Sequence, residues 1–360
     1  MKNRILILMF CVFWMPISFA DTITGLYRAE IILPSNLTEG QLLGAAFKQA
    51  AKNVLIKVSG RPDLINTTIK DNDLKSAPAW VAQHSILSSD QLVQFNGEMV
   101  SSKKVVVTFY EQSINLFLID RKIAIWGNNR PSVLVWLLED NGRGRNLSGV
   151  NSPSALLSAV ATHAADNGLP IYAPILDEVD VNAVSISALW GFFEEEVAQA
   201  SKRYQTDLFS VVRVSHVSNK QSVDIRVYFP SGEIIPLSFD IANNANVALV
   251  INNELSQLLS ERYAAVRGAD EEFSLKMRLV GIDTYDKMQK VQNYLDSITL
   301  VRKWHLASLK DGEVVYIIQS DGGVKKLKDS IALNTVLTEN PLSALDPNAN
   351  ISLSYEFKGK

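Results

Sequence analysis

Residues 126–138 read Trp126-Gly127-Asn128-Asn129-Arg130-Pro131-Ser132-Val133-Leu134-Val135-Trp136-Leu137-Leu138, and they decide how the chain divides. The first half is polar, and Pro131 forces an extended entry into the second. The second half is an unbroken apolar run. It is too short for a membrane span and suits a central strand covered on both faces. One module therefore ends near 127, and another opens with its innermost strand.

Upstream, residues 26–33 alternate as a strand. Thr38 with Gln41 three positions on forms a capping box. Leu43, Phe47, Ala50, Ala51, Val54, Leu55 and Val58 come next at helical spacing. Ser59-Gly60-Arg61-Pro62 stops that helix, glycine at its cap and proline beyond. After a polar stretch with little pattern, residues 91–95 and 104–110 pair around Asn96-Gly97, and 113–123 closes the module as a helix. The order is β-α-β-β-α.

Downstream of the strand at 132–138 come a loop at Gly142-Arg143-Gly144-Arg145 and a helix over 156–165. A short strand at 170–175 and a single long helix over 186–204 come after it. A meander at 208–214, 222–229 and 234–239 precedes an amphipathic helix from 247 to 266. Helices then pack on a mixed sheet. Past a linker at Gly268-Ala269-Asp270, a strand at 273–282 leads to a helix capped by Thr284. Strands at 301–309 and 314–319 flank Asp311-Gly312, and a helix at 327–337 and a strand at 351–357 complete the chain. That order, β-α-β-β-α-β, is ferredoxin-like. The fold class expected is α+β, multi-domain, with small mixed sheets and helices packed on them. The expected units are 22–127, 131–267 and 272–358.

Residues 1–20 are set apart. Lys2 and Arg4 precede an apolar run over 5–15, then Pro16, and Ser18-Phe19-Ala20 places small residues where a signal peptidase reads. Cleavage between Ala20 and Asp21 is expected, with a periplasmic location. The chain's single cysteine, Cys11, leaves with the leader, so the mature protein carries no thiol. No later stretch has the length and apolarity of a membrane span. Losing the two cations Lys2 and Arg4 takes the net charge from −3 to −5. A mildly acidic surface without a basic block argues against nucleic acid as a partner.

Val58-Ser59-Gly60-Arg61, the Trp126–Trp136 stretch, Gly168-Leu169-Pro170 and Trp190-Gly191 together resemble the proteobacterial domain-of-unknown-function family numbered 2066, over roughly residues 26–266. The resemblance implies a Gram-negative envelope protein and supplies no activity. By element order the middle module is similar to the amino-terminal domain of the Tol-system propeller protein. It is likewise similar to the curli secretion channel's periplasmic domain and to lipoprotein activators of penicillin-binding proteins.

The residues hold no recognisable catalyst. His84, His163, His216 and His305 are far apart in sequence, with no zinc spacing. No Gly-x-Ser-x-Gly elbow and no phosphate-cradling glycine loop occurs. Asp177, Glu178 and Asp180 offer oxygen ligands but lack the series of a calcium loop. Glu194, Glu195 and Glu196 read as a solvated helix face. No catalytic, cofactor or metal residue is assigned, and no cofactor is expected. Arg61, Arg130, Arg143 and Arg145 lie in loops, where a guanidinium can either bind carbonyls or clamp a partner's carboxylate or phosphate. Trp126 and Trp136 flank the Asn-Asn-Arg-Pro loop. Arg61, Trp126, Asn128, Asn129, Arg130 and Trp136 are therefore the candidate interaction residues, because tryptophan and arginine carry interface energy when exposed together. The reading they support is a non-enzymatic binding or assembly-accessory protein with an envelope protein partner. Two alternatives stand beside it. One is an envelope hydrolase joining His163 or His216 to Asp177 or Asp180. The other is a peptidoglycan or small-molecule binder.

Overall fold

The computed structural model describes residues 25–217, 220–242, 245–267, 273–310, 312–333, 336–341 and 351–359. The leader with Ala20 and Asp21, and the linker at 268–270, lie outside the described residues.

The first sheet begins with β1 (Arg28–Pro34). Thr38 and Gln41 close the capping box of α1 (Glu39–Ser59), which Gly60 ends with φ 65. Next come α2 (Pro62–Thr68), a 3-10 turn, β2 (Val81–Phe95), β3 (Glu98–Phe109) and α3 (Glu111–Asp120). The strand order is β1-β3-β2, all antiparallel. Asn96 (φ 51) and Gly97 (φ 88) make the two-residue hairpin turn. The stretch without pattern becomes α2, the 3-10 turn and most of β2, which is wet along much of its length and so shows no alternation. One face of α1 buries Leu42, Ala46, Val54 and Val58 against Ile31, Val105 and Val107.

The middle sheet opens with β4 (Val133–Asp140), whose first six residues are all buried. It continues through β5 (Arg145–Ser148), α4 (Ala155–Asn167), β6 (Ile171–Tyr172), α5 (Glu178–Ala183), α6 (Ile186–Gly191) and α7 (Glu194–Ser201). Then come β7 (Leu208–Val217), β8 (Lys220–Tyr228), β9 (Ile234–Ala242) and α8 (Val247–Tyr263). The order is β5-β4-β7-β8-β9, with β6 also on β4. β4 runs parallel to both β6 and β7. Helices α4 and α8 pack on one face, and α6 and α7 on the other, which is why β4 is apolar throughout. The single helix expected over 186–204 is instead broken. Phe192 adopts φ 56 after Gly191, and Glu194, Glu195 and Glu196 then suit the positive N-terminus of a new helix. The loop expected at 142–145 is tighter than a loop, since Arg145 already starts strand β5.

The last sheet contains β10 (Phe273–Val280), α9 (Tyr285–Ser297) capped by Thr284, β11 (Val301–Lys310), β12 (Glu313–Ser320) and α10 (Val324–Ile331). β13 (Leu337–Glu339) and β14 (Leu353–Phe357) complete it. The order β11-β12-β10-β14 follows the ferredoxin-like strand order, but with β13 added at the edge the direction of the last strand departs from that fold. Because β13 uses one chain reversal, β14 runs parallel to β10. Over the described residues the molecule is thus α+β, with three small sheets and helices on them. Ile125 and Ala265 exchange backbone hydrogen bonds (2.8 and 3.2 Å) where the three sheets meet. Among the described residues no helix is long and apolar enough to cross a membrane.

Candidate functional site

The motifs 58–61, 126–131 and 168–170, far apart in sequence, converge on one buried guanidinium. Arg130 is 1% exposed. Its five N–H groups all meet backbone carbonyls. Nε donates to Gly127 O (2.9 Å), Nη1 to Asn167 O (3.2 Å) and Gly168 O (3.0 Å), and Nη2 to Lys57 O (2.5 Å) and Trp126 O (2.6 Å). The guanidinium also lies 4.3 Å from the Trp126 ring. Burial pulls its pKa down to about 9, so it stays charged at neutral pH. The first sheet's α1 and the middle sheet's α4 are thereby tied to one cation. Space there is tight: a Cβ on Gly60 would sit 2.4 Å from the Trp126 ring.

For Trp126, Arg130 and Trp136 that placement removes the exposure on which the expected interaction role depends. Trp126 and Trp136 are buried, and Trp136 Nε1 donates to Ser201 Oγ (3.0 Å). Arg61 holds Asp63 with two bonds (2.9 and 2.8 Å) and lies 3.4 Å from Glu261, so its fork is already filled. The sealed side chains of Trp126, Arg130 and Trp136 offer no surface, and the Arg130 cluster is a bracket between sheets. Asn128 is exposed and Asn129 half-exposed beside it.

An open crevice lies elsewhere, beyond the carboxyl ends of the parallel strands β4 and β7. From β4 the chain crosses through α4 to β6 on one side, while β7 pairs on the other. This is the switch point at which open α/β sheets leave room for a ligand. The volume is about 970 Å³, within the range of small-ligand sites. Glu139, Asn141 and His216 come from the strand ends, and Arg145 and Asn146 from β5. Ser154 and Ser185 cap α4 and α6 and also line the crevice, with Leu147, Leu176, Val181, Val184 and Ile186 as its aliphatic lining. Arg145 is steadied 3.6 Å from Asp140 and stacks 4.3 Å from Trp190.

One wall is held from behind. The fully buried Asp180 carboxylate accepts from Tyr204 OH (2.5 Å), Leu176 N (2.8 Å) and Arg203 Nη1 (2.9 Å). Arg203 also grips Asp177 with two bonds (2.6 and 2.8 Å) and holds its carboxyl well below the usual range. Burial and the Asp180 carboxylate push Tyr204 up to about 12. The turn after β5 docks on this wall through Val150 N to Pro174 O (2.8 Å). The acids at 177 and 180 therefore face a guanidinium and a phenol, and neither His163 nor His216 is bonded to them. His163 instead meets Asn246 (3.1 Å). Among the described residues no group of three or more His, Cys, Asp or Glu is placed to hold a metal ion. Apart from Arg145 and His216, the crevice residues escaped sequence reading, because they come from separate elements of the chain.

Residues 20–127 match the family model described as a domain of unknown function, DUF8605. No curated protein matches the chain. Among solved structures, TolB from Acinetobacter baumannii is similar over 42% of this chain and 33% of its own, at 8% identity and a TM-score of 0.25. Lipoprotein GNA1162 from Neisseria meningitidis is similar over 36% of this chain and 96% of its own, at 16% identity and 0.24. The LpoB C-terminal domain from Salmonella enterica is similar over 32% and 84%, at 11% identity and 0.19. The chain spans about a third of the TolB chain. All three likenesses are too distant to carry a statement about this protein.

Proposed function

We propose that this chain is a non-enzymatic binding or assembly-accessory protein of the Gram-negative envelope, exported to the periplasm. Its crevice beyond β4 and β7 receives a short extended peptide segment of a protein partner. The Trp126–Pro131 motif supports kinship with family 2066, and the leader supports export. The lining of the crevice carries the reading. Glu139 and Arg145 supply one charge of each sign, the serines and asparagines match peptide N–H and C=O groups, and the aliphatic lining accepts side chains.

The test starts from a phage-displayed pool of random hexapeptides. A selected peptide, synthesised with a fluorophore, is titrated against the protein and against the Glu139→Lys, Arg145→Glu double variant. Saturable binding weakened at least tenfold in the double variant supports the reading. A pool that yields no binder, or a binder indifferent to both changes, refutes it.

A further inference from the structure

Each sheet ends in strands whose outer N–H and C=O groups are unpaired, and proteins usually guard such edges with lysine, proline, bulges or brevity. Most edges here are guarded. β1 has Arg28 and Pro34, β9 has Pro236, β11 has Arg302, Lys303 and Lys310, and β5 and β13 are four and three residues long. β2 is the exception. It is fifteen residues long, pairs among the described residues only with β3, and contains no lysine, arginine or proline. Leu87 on it is 50% exposed.

The sequence of this edge is self-complementary. Place two copies of β2 antiparallel about a two-fold axis at Leu87. Leu87 then faces Leu87 of the second copy, Ser85 faces Ser89 and Ile86 faces Ser88 within the regular run 83–89, and Asp90, at the start of the register break, comes level with His84. His84 and Asp90 are the strand's two ionisable side chains, and they stand three residues either side of the axis. A shift of the axis to Ile86 sets Leu87 against Ser85 and Asp90 against Ala82. A shift to Ser88 sets His84 against Leu92. Cross-strand pairs of this kind fix register. The regular run at 83–89 is bounded by register breaks at 81–83 and 89–92, which limit the pairing to one short segment. Because the far edge is guarded by Pro34, the contact closes on itself as a dimer and does not extend.

We infer that two copies of this chain pair edge to edge through β2, joining two three-stranded sheets into one of six. The first sheet alone supplies this contact, and the crevice takes no part in it.

The test uses the full chain as the cell processes it, with Cys11→Ser, so that Leu87→Cys carries the lone thiol. Residues facing across a two-fold antiparallel axis lie within disulfide reach. Mild oxidation is expected to convert Leu87→Cys to covalent dimer. Leu116→Cys, 56% exposed on α3, serves as the collision control and is expected to stay monomeric. Leu87→Lys sets two like charges face to face and is expected to sediment as a monomer while the parent sediments as a dimer. Equal crosslinking at 87 and 116, or a parent that sediments as a monomer at every concentration, overturns the inference. Peptide binding at the crevice is expected to persist in Leu87→Lys, so failure of one proposal does not disguise failure of the other.

Discussion

Replacing Arg130 with methionine keeps an unbranched apolar stem and removes every donor. Five carbonyls, those of Lys57, Trp126, Gly127, Asn167 and Gly168, then lose a charged partner inside the protein. A hydrogen bond to a charged group is worth roughly 1.5–3 kcal/mol. Removing the cation also relieves the cost of burying it, several kcal/mol. Breaking a buried, fully satisfied network nets about 3–5 kcal/mol. At roughly 2–4 °C per kcal/mol for a unit of this size, the melting point should fall by about 6–20 °C. The assay is urea unfolding tracked by tryptophan emission, to which Trp126 under the guanidinium contributes together with Trp80, Trp136, Trp190 and Trp304. The first and middle sheets share this cation, so their unfolding transitions should also separate. Arg130→Lys keeps a charge but has fewer donors and no planar fork, and should not rescue. A loss below about 1 kcal/mol with a single retained transition would refute the bracket.

Gly60→Ala should cost roughly 2–4 kcal/mol, from a left-handed backbone and a Cβ 2.4 Å from Trp126. Gly44→Ala, inside α1 with nothing within 4 Å, should stabilise by about 0.5–1 kcal/mol; thermal melts compare the two. Asp180→Ala strips the acceptor shared by Leu176 N and Tyr204. It should cost about 3–5 kcal/mol and lower the Tyr204 ionisation point from about 12, read by phenolate absorbance. Alkaline stability depends on Tyr27 and Tyr204, both pushed up to about 12, chiefly by burial. Unfolded tyrosines ionise near ~10, so the folded state's advantage is whole below that pH and drains away as pH climbs toward 12. A urea midpoint unchanged between pH 9 and 11.5 would contradict this.

Much of the fold is written locally. The Thr38–Gln41 box, the Asn96-Gly97 turn, the Thr284 cap and the apolar run of β4 each act within a few residues, and each element forms where its signal lies. What was illegible depends on distant partners. β2 lies at an edge with both surfaces wet along much of it, so its side chains have no reason to alternate. The break at Phe192 and the late reversal at β13 answer to packing. The bracket was visible as a motif but its direction was not. An arginine among glycine, asparagine and proline reads as exposed until Lys57 O, 73 residues away, and Gly168 O, 38 residues away, close over it. The crevice gave no spacing signal because topology alone brings Glu139, Ser154, Ser185 and His216 to one place.

Amide hydrogen exchange with and without a selected hexapeptide tests the crevice most directly. Slowed exchange is expected to be confined to the segments around residues 139–154, 176–187 and 214–216, with β2 and β3 unchanged. Protection centred on any other surface, or none at saturating peptide, would contradict a peptide site there.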